Sequence, residues 1–185
     1  MLRMLALGLG ILTAVFASLA LGLGWAETEE TDAGLQGRFH LLSVHAIGAE
    51  GDLIVRWSED AFDDQDAIGG LRASGPLWIA GLALLALSVL WVEHALIGIR
   101  WAIWPAFGTA AVAAALLVTT VVLLPISIEA NHQWDIDNGF SEPDDDLSWL
   151  VGLYFGVAAA ALALATAVLA FVAAWRWHKP SNALP

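Results

Sequence analysis

Hydrophobic positions gather into four long runs, at residues 5–25, 77–99, 101–124 and 147–175. A bilayer core about 30 Å thick needs roughly 20 consecutive apolar residues to be crossed by an α-helix. Each run is long enough, and none shows the alternation of polar and apolar residues that marks a half-buried strand. The pattern therefore predicts an all-α integral membrane protein, a bundle of four transmembrane helices.

Proline, glycine and acidic residues mark the predicted helix ends. Proline suits the first turn of a helix, so the second helix is expected to open at Gly75-Pro76. Pro125 is expected to end or kink the third helix, and the acidic residues at 144–146 favour a helix start behind them. The chain then divides into helices at 1–26, 76–100, 101–125 and 147–176, loops at 27–75 and 126–146, and a tail at 177–185.

The first run also resembles a secretory signal, because Arg3 precedes it and small residues surround Trp25. Its apolar stretch is nevertheless longer than the roughly 7–15 residues that are usual for the core of a signal peptide. We therefore expect this segment to be retained as the first helix of the bundle.

Composition narrows the class of protein further. The chain of 185 residues is 59% hydrophobic and 14% charged, whereas soluble domains are about 45–50% apolar and about 25% charged. This excludes a soluble domain, and it excludes a disordered chain. The net charge of −12 argues against nucleic acid as a partner. Because cysteine is absent, disulfides, thiolate metal sites and a cysteine nucleophile are excluded.

Charge and tryptophan predict the orientation in the membrane. Basic residues near helix ends mark the cytoplasmic side, and four of the seven fall on the side of the chain termini: Arg3, Arg100, Arg176 and Lys179. The two loops hold 18 of the 19 acidic residues. Tryptophans favour the membrane interface and stand at predicted helix ends: Trp25, Trp78 and Trp149 outside, and Trp101, Trp104, Trp175 and Trp177 inside. We expect a multi-pass protein of the cell membrane with cytoplasmic termini and acidic extracytoplasmic loops.

The first loop contains a predicted β-hairpin. Runs of β-favouring residues at 38–47 and 52–57 flank a glycine-bearing connection, which is the pattern of two antiparallel strands. Along one regular strand His40 and His45 would point to opposite faces, because side chains alternate. The hairpin is expected to pack on the second loop, on the membrane surface or on a partner.

Acidic residues of the second loop are candidates for a metal site. Asp135 and Asp137 precede Asn138-Gly139, and His132 lies close by. The spacing departs from that of an EF-hand, in which glycine stands sixth and a bidentate glutamate twelfth. A solvated acidic surface is therefore favoured, with a calcium or zinc site at these residues as the alternative.

Glu93 and His94 are the ionisable residues that the four runs contain. An unpaired charge in hydrocarbon is costly, so such residues indicate either an internal ion pair or a function. Glu93 and Arg100 would share a helix face, which favours pairing. A proton- or ligand-linked role is the alternative.

Small residues at helical spacing predict close helix packing. The set consists of Gly152, Gly156 and Ala160 in the fourth helix and of Ala14, Ser18 and Gly22 in the first. Packing inside the bundle and association with other chains both fit this pattern.

The sequence contains no motif of catalysis or cofactor binding, such as GxSxG, HExxH or a phosphate-binding loop. Four helices with a β-bearing first outer loop resemble the claudin-type tetraspan layout in topology only. Trp57 is present, but the Gly-Leu-Trp and the paired cysteines of that family are absent. We expect a non-enzymatic protein without cofactor that binds other membrane-protein subunits or itself. It would serve as an accessory or assembly subunit, or as a surface adhesion or scaffold unit. The alternative is an ion- or proton-linked transport or energy-transducing component that uses Glu93 and His94.

Overall fold

The structure, a computed structural model, describes residues 1–28, 36–48, 51–56, 68–139 and 146–178. In those residues four helices are long and apolar enough to cross a membrane, and five short strands form one antiparallel sheet. The prediction of a mostly helical protein with four helices long and apolar enough to span a membrane is confirmed. Most acidic residues of the predicted loops lie outside the described residues, and so does the chain after 178.

The helices pack in a ring. They are α1 (Leu2–Gly22), α2 (Ile68–Leu96), α3 (Ile103–Asp137) and α4 (Val151–His178). A short 3-10 turn at Arg100–Ala102 leads from α2 into α3. Each helix packs against its neighbours in the chain, and α4 packs back onto α1. Alanine is the commonest buried residue of the bundle, so the helix backbones approach one another closely.

Neighbouring helices run antiparallel. Arg3 Nη1 donates a hydrogen bond of 2.7 Å to the Ala95 carbonyl at one end of the α1–α2 pair. Trp78 Nε1 donates one of 2.9 Å to the Ala17 carbonyl towards the other end. Contacts between α2 and α3 and between α3 and α4 follow the same alternation. The start of α1 and the end of α4 therefore lie together at one end of the bundle, here called the terminal end.

The sheet lies at the opposite end, with strands in the order β4-β3-β2-β1-β5. The strands are β1 (Ala26–Thr28), β2 (Gln36–Phe39), β3 (Ser43–Gly48), β4 (Gly51–Arg56) and β5 (Leu147–Trp149). β1 follows α1 and pairs with β2 on one side and with β5 on the other. Because β5 occupies the expected start of the fourth helix, α4 begins only at Val151. The sheet thus joins the ends of α1 and α4.

The predicted hairpin is present as β3 and β4. The single strand expected over 38–47 is wrong, because the chain turns after Phe39 and β2 pairs antiparallel with β3. Leu41, in this turn, is fully buried in the core cluster that also contains Leu71 and Trp78. Burial of the Leu41 side chain outweighs the preference of residues 38–47 for one continuous strand. The segment therefore forms two strands with a turn between them.

Two prolines that were expected at helix ends lie inside helices. α2 begins at Ile68, so Pro76 falls within it, and α3 continues past Pro125 to Asp137. Buried residues follow this second proline at helical spacing: Ser127, Ile128, Asn131 and His132. Packing of that face outweighs the hydrogen bond that the proline removes.

Candidate interaction surface

Two tryptophans attach the sheet to the bundle. Trp25 and Trp78 are fully buried, with ring centroids 5.6 Å apart in an edge-to-face arrangement. Their indole N–H groups donate to the carbonyls of Ala20 and Ala17, at 2.8 and 2.9 Å. Both rings are therefore enclosed by the protein and do not face the surrounding membrane or solvent. Because each N–H has a partner within the bundle, the whole ring can be buried.

The backbone of Trp25 is bonded on both sides. Its N–H donates to the Phe39 carbonyl, and its carbonyl accepts from the Leu150 N–H, both at 2.8 Å. In the first turn of α4, the Gly152 N–H donates to the Gly24 carbonyl at 3.0 Å. The end of α1, strand β2 and the start of α4 therefore meet at Trp25, and these bonds fix the inner strands to the helices.

The small residues of α4 make room for this junction. A Cβ at Gly152 would meet the Gly24 carbonyl, and a Cβ at Gly156 would meet the Trp25 ring. Ala160, one turn further along, is buried in the core. The structure therefore uses this set for packing inside the bundle.

The small residues of α1 face away from that junction. Ser18 and Gly22 are not buried, and a Cβ at Gly22 would meet no atom within 4 Å. Ala14 and Ser18 line an apolar groove of about 680 Å³ between α1 and α2. The two predicted sets of small residues are thus not brought together.

Strand β4 forms one edge of the sheet. Leu53 is 62% exposed and Ile54 is 57% exposed. Successive side chains of a strand point to opposite faces, so both faces of β4 are uncovered. No other described strand pairs with its outer side. This surface, residues Gly51–Arg56, is the β4 edge, and its backbone can accept a further strand.

The inner strands satisfy their polar groups among themselves. Glu27 and Arg38 stand opposite each other on β1 and β2 and form an ion pair of 3.0 Å. Beside them the Gly37 N–H donates to Thr28 Oγ1 at 2.9 Å. β1 is also paired on both sides. β1 and β2 are therefore paired on both sides and closed to a partner strand, in contrast to β4, while the three-residue strand β5 forms the opposite edge.

The turn between β2 and β3 brings two histidines together. His40 lies in the turn and His45 on β3, so they do not share the one regular strand on which they would point to opposite faces, and their rings stack with centroids 4.1 Å apart. Burial lowers the pKa of His40, and the charges of His45 and Arg38 lower it further, against a backbone hydrogen bond to Leu23 that raises it. These causes favour a neutral His40 ring.

The proposed metal ligands of the second loop lie on the last turns of α3. Asn131 Nδ2 donates to Asp135 at 3.1 Å, and Gln133 Nε2 donates to Asp137 at 2.9 Å. Asp135 and Asp137 are two residues apart, which corresponds to a rotation of about 200° around the helix axis. Their carboxylates therefore point away from each other. His132 is buried on the same helix. Among the described residues no three His, Cys, Asp or Glu side chains form a cluster that could hold a metal ion.

Glu93 and His94 lie in the last turn of α2, and both are exposed. His94 Nδ1 is 2.8 Å from the Leu90 carbonyl. The helix ends at Leu96, and Arg100 belongs to the following turn. The helical spacing that favoured a Glu93–Arg100 pair is therefore interrupted, and neither residue points into the bundle.

Comparison with known proteins adds no further assignment. No protein-family model matches the chain, and no curated protein matches its sequence. No residue role can therefore be transferred from a relative, and the β4 edge is the surface that the geometry itself singles out.

Proposed function

We propose that this protein is a non-enzymatic membrane protein that binds a protein partner through the β4 edge. It would act as an accessory or assembly subunit of a membrane complex, or as a surface adhesion or scaffold unit. The observation that carries the proposal is the exposure of Leu53 and Ile54 on the two faces of an edge strand. Natural proteins commonly protect such edges with charge or proline, and the centre of β4 has neither.

Strand addition explains how such an edge would bind. An extended segment of the partner would form main-chain hydrogen bonds along β4, and apolar side chains on either face would select the sequence. Asp52 and Arg56 flank the apolar centre of the strand, so the surface offers an apolar middle with a charged rim. Protein–protein interfaces have the same arrangement.

The attachment of the sheet supports this use. Trp25 and its backbone bonds hold the inner strands on the bundle, so β4 extends from a fixed platform. Binding to a preorganised surface costs less conformational entropy than binding to a loop that must first become ordered, so more of the interaction energy appears as affinity.

Orientation completes the proposal. Arg3, Arg100 and Arg176 lie towards the terminal end of the bundle, and basic residues near helix ends mark the cytoplasmic side. The termini would be cytoplasmic, and the sheet, with the acidic loops that surround it in sequence, would face outward. A claudin-like arrangement of four helices below an outer sheet belongs to the same proposal.

The test replaces the apolar centre of β4 by charge. The double variant Leu53→Lys/Ile54→Lys is compared with Asp52→Asn, which alters the same exposed strand but keeps its apolar surface. Both are purified in mild detergent from native membranes, and the co-purifying proteins are compared with those of the wild type. We expect a partner that wild type and Asp52→Asn retain and the double variant loses. Equal recovery with all three proteins would refute a binding role for the β4 edge.

The alternative function has less structural support. An ion- or proton-linked role needs ionisable groups that face the bundle interior or a polar path, whereas Glu93 and His94 are exposed near the end of α2. We expect Glu93→Gln to leave partner recovery, and any ion flux in reconstituted vesicles, at the wild-type level. Loss of ion flux with intact partner recovery would favour the alternative.

A further inference from the structure

A cationic cavity opens at the terminal end of the bundle, opposite the sheet. Its lining consists of Met1, Leu2, Arg3, Leu96, Ala173 and Arg176. The cavity measures about 460 Å³, and none of the described residues that line it is acidic. The charge of Arg100 also acts on Arg3. Two guanidinium groups therefore share one cavity, with a third positive charge close enough to add to its field.

Arg3 is held at this cavity by the backbone of α2. Its Nη1 donates to the Ala95 carbonyl at 2.7 Å, in the last turn of the helix. Carbonyls at the C-terminal end of a helix carry partial negative charge and favour a cation. One wall of the cavity is thus positioned in advance.

Arg176 belongs to a second cavity as well. This neighbouring space measures about 450 Å³ and is lined by Phe171, Val172, Trp175 and Arg176. Apart from the arginine, the described residues of its walls are apolar. One cationic cavity and one apolar cavity that share an arginine match the two parts of a phospholipid, a phosphate and an acyl chain.

Exposed tryptophans indicate the depth of the two cavities in the membrane. Trp101 is 63% exposed and Trp175 is 57% exposed, and both lie towards the terminal end. Tryptophan rings that face lipid concentrate at the interface between hydrocarbon and headgroups. With the two rings at that interface, the guanidinium groups of Arg3 and Arg176 would lie at the level of the phosphates of one leaflet.

We propose that the terminal end binds one anionic phospholipid, with its phosphate between Arg3 and Arg176 and an acyl chain along Phe171 and Trp175. Guanidinium groups bind phosphate oxygens through paired N–H donors, and basic pockets between transmembrane helices hold anionic headgroups. The site is separate from the β4 edge and does not depend on the function proposed for it.

The test measures lipid binding by the full chain in mild detergent. Native mass spectrometry counts the retained lipids, and thermal unfolding reports stabilisation, with phosphatidylglycerol and phosphatidylcholine added in turn. We expect one phosphatidylglycerol to be retained and to raise the midpoint, without a comparable effect of phosphatidylcholine. The variant Arg3→Gln/Arg176→Gln should bind phosphatidylglycerol at least about tenfold more weakly, because charge-assisted hydrogen bonds are lost.

Matched variants and a free anion decide whether the lipid binds at these two arginines. Arg56→Gln removes the same charge from the exposed β4 edge and should bind as the wild type does. If the double variant fails to fold, Arg176→Gln alone is measured in its place. This single variant keeps the Arg3–Ala95 hydrogen bond and should also bind phosphatidylglycerol more weakly. Equal binding by Arg176→Gln and Arg56→Gln would overturn the proposal. So would inorganic phosphate or glycerol phosphate that stabilises as strongly as the lipid, because the ligand would then be a free anion.

Discussion

The two halves of the sheet are stabilised in different ways. The strands β1, β2 and β5 are bonded to the helices at Trp25, and β1 and β2 also share the Glu27–Arg38 ion pair. The hairpin β3–β4 continues from β2 and exposes its last strand. An isolated hairpin is marginal in water, so the outer half depends on the inner half for its order. One half is therefore attached to the helices, whereas the other exposes an edge strand.

Removal of the central anchor should have the largest effect. Trp25→Ala deletes a fully buried ring and should lower the free energy of unfolding by about 3–5 kcal/mol. Trp101→Ala, which removes a ring that is 63% exposed, is the matched control and should lower the free energy of unfolding much less. Thermal unfolding in detergent measures both. If the two variants unfold at the same temperature, the sheet is not anchored by Trp25.

An added methyl group at the same junction should lower the free energy of unfolding somewhat less than Trp25→Ala does. Gly156→Ala places a methyl group against the Trp25 ring, and overpacking of this kind costs about 1–3 kcal/mol. Gly108→Ala is the matched control, because a Cβ there meets no atom within 4 Å. Since alanine favours a helix over glycine, this control should be neutral or stabilising by up to about 1 kcal/mol. A stable Gly156→Ala variant would show that the junction is loosely packed.

Acid should weaken the turn that joins the two halves. The pKa of His40 is lowered in the folded protein, so below its ordinary pKa of about 6.5 the unfolded chain binds more protons than the folded one. Stability should therefore fall as the pH drops through that value and continue to fall until the folded ring is protonated. Unfolding midpoints from pH 8 to about pH 5 measure this slope. His40→Gln should remove the part of this pH dependence that His40 contributes. If the wild type and His40→Gln lose stability equally between pH 8 and about pH 5, the prediction is contradicted.

Charging the β4 edge should have the smallest effect on stability. Leu53 and Ile54 are exposed, and exposed substitutions usually change stability by no more than about 0.5 kcal/mol each. Leu53→Lys/Ile54→Lys should therefore unfold close to the wild type while it loses its partner. A large drop in the unfolding midpoint would show that these side chains are structural, against the division of the sheet into two halves.

The helices and the hairpin could be predicted because local patterns determine them. Bilayer thickness requires a minimum apolar length, and four runs meet it. Glycine at 48 and 51 marks the connection of β3 and β4. Helix ends were predicted less well. Pro76 indicated the start of a helix and Pro125 its end or a kink, whereas α2 begins earlier and α3 continues further, with buried residues on the far side of each proline.

The arrangement of the site depended on contacts that no local pattern contains. Gly152 and Gly156 indicated close packing, but their neighbour is Trp25, which lies far away in the chain. The stacking of His40 on His45 follows from the burial of Leu41, which turns the chain between them. The exposure of the β4 edge likewise follows from the strand order, which the sequence pattern left open.

The central claim, that β4 is a binding edge held by a rigid inner sheet, is tested most directly by hydrogen exchange. Amide exchange would be measured on the full chain in its native membranes and again after purification away from other proteins. We predict that the amides of β4 are protected in the native membranes and exchange faster after purification, while those of β1 and β5 stay unchanged. Identical exchange of β4 in both preparations, or a loss of protection across the whole sheet, would contradict the claim.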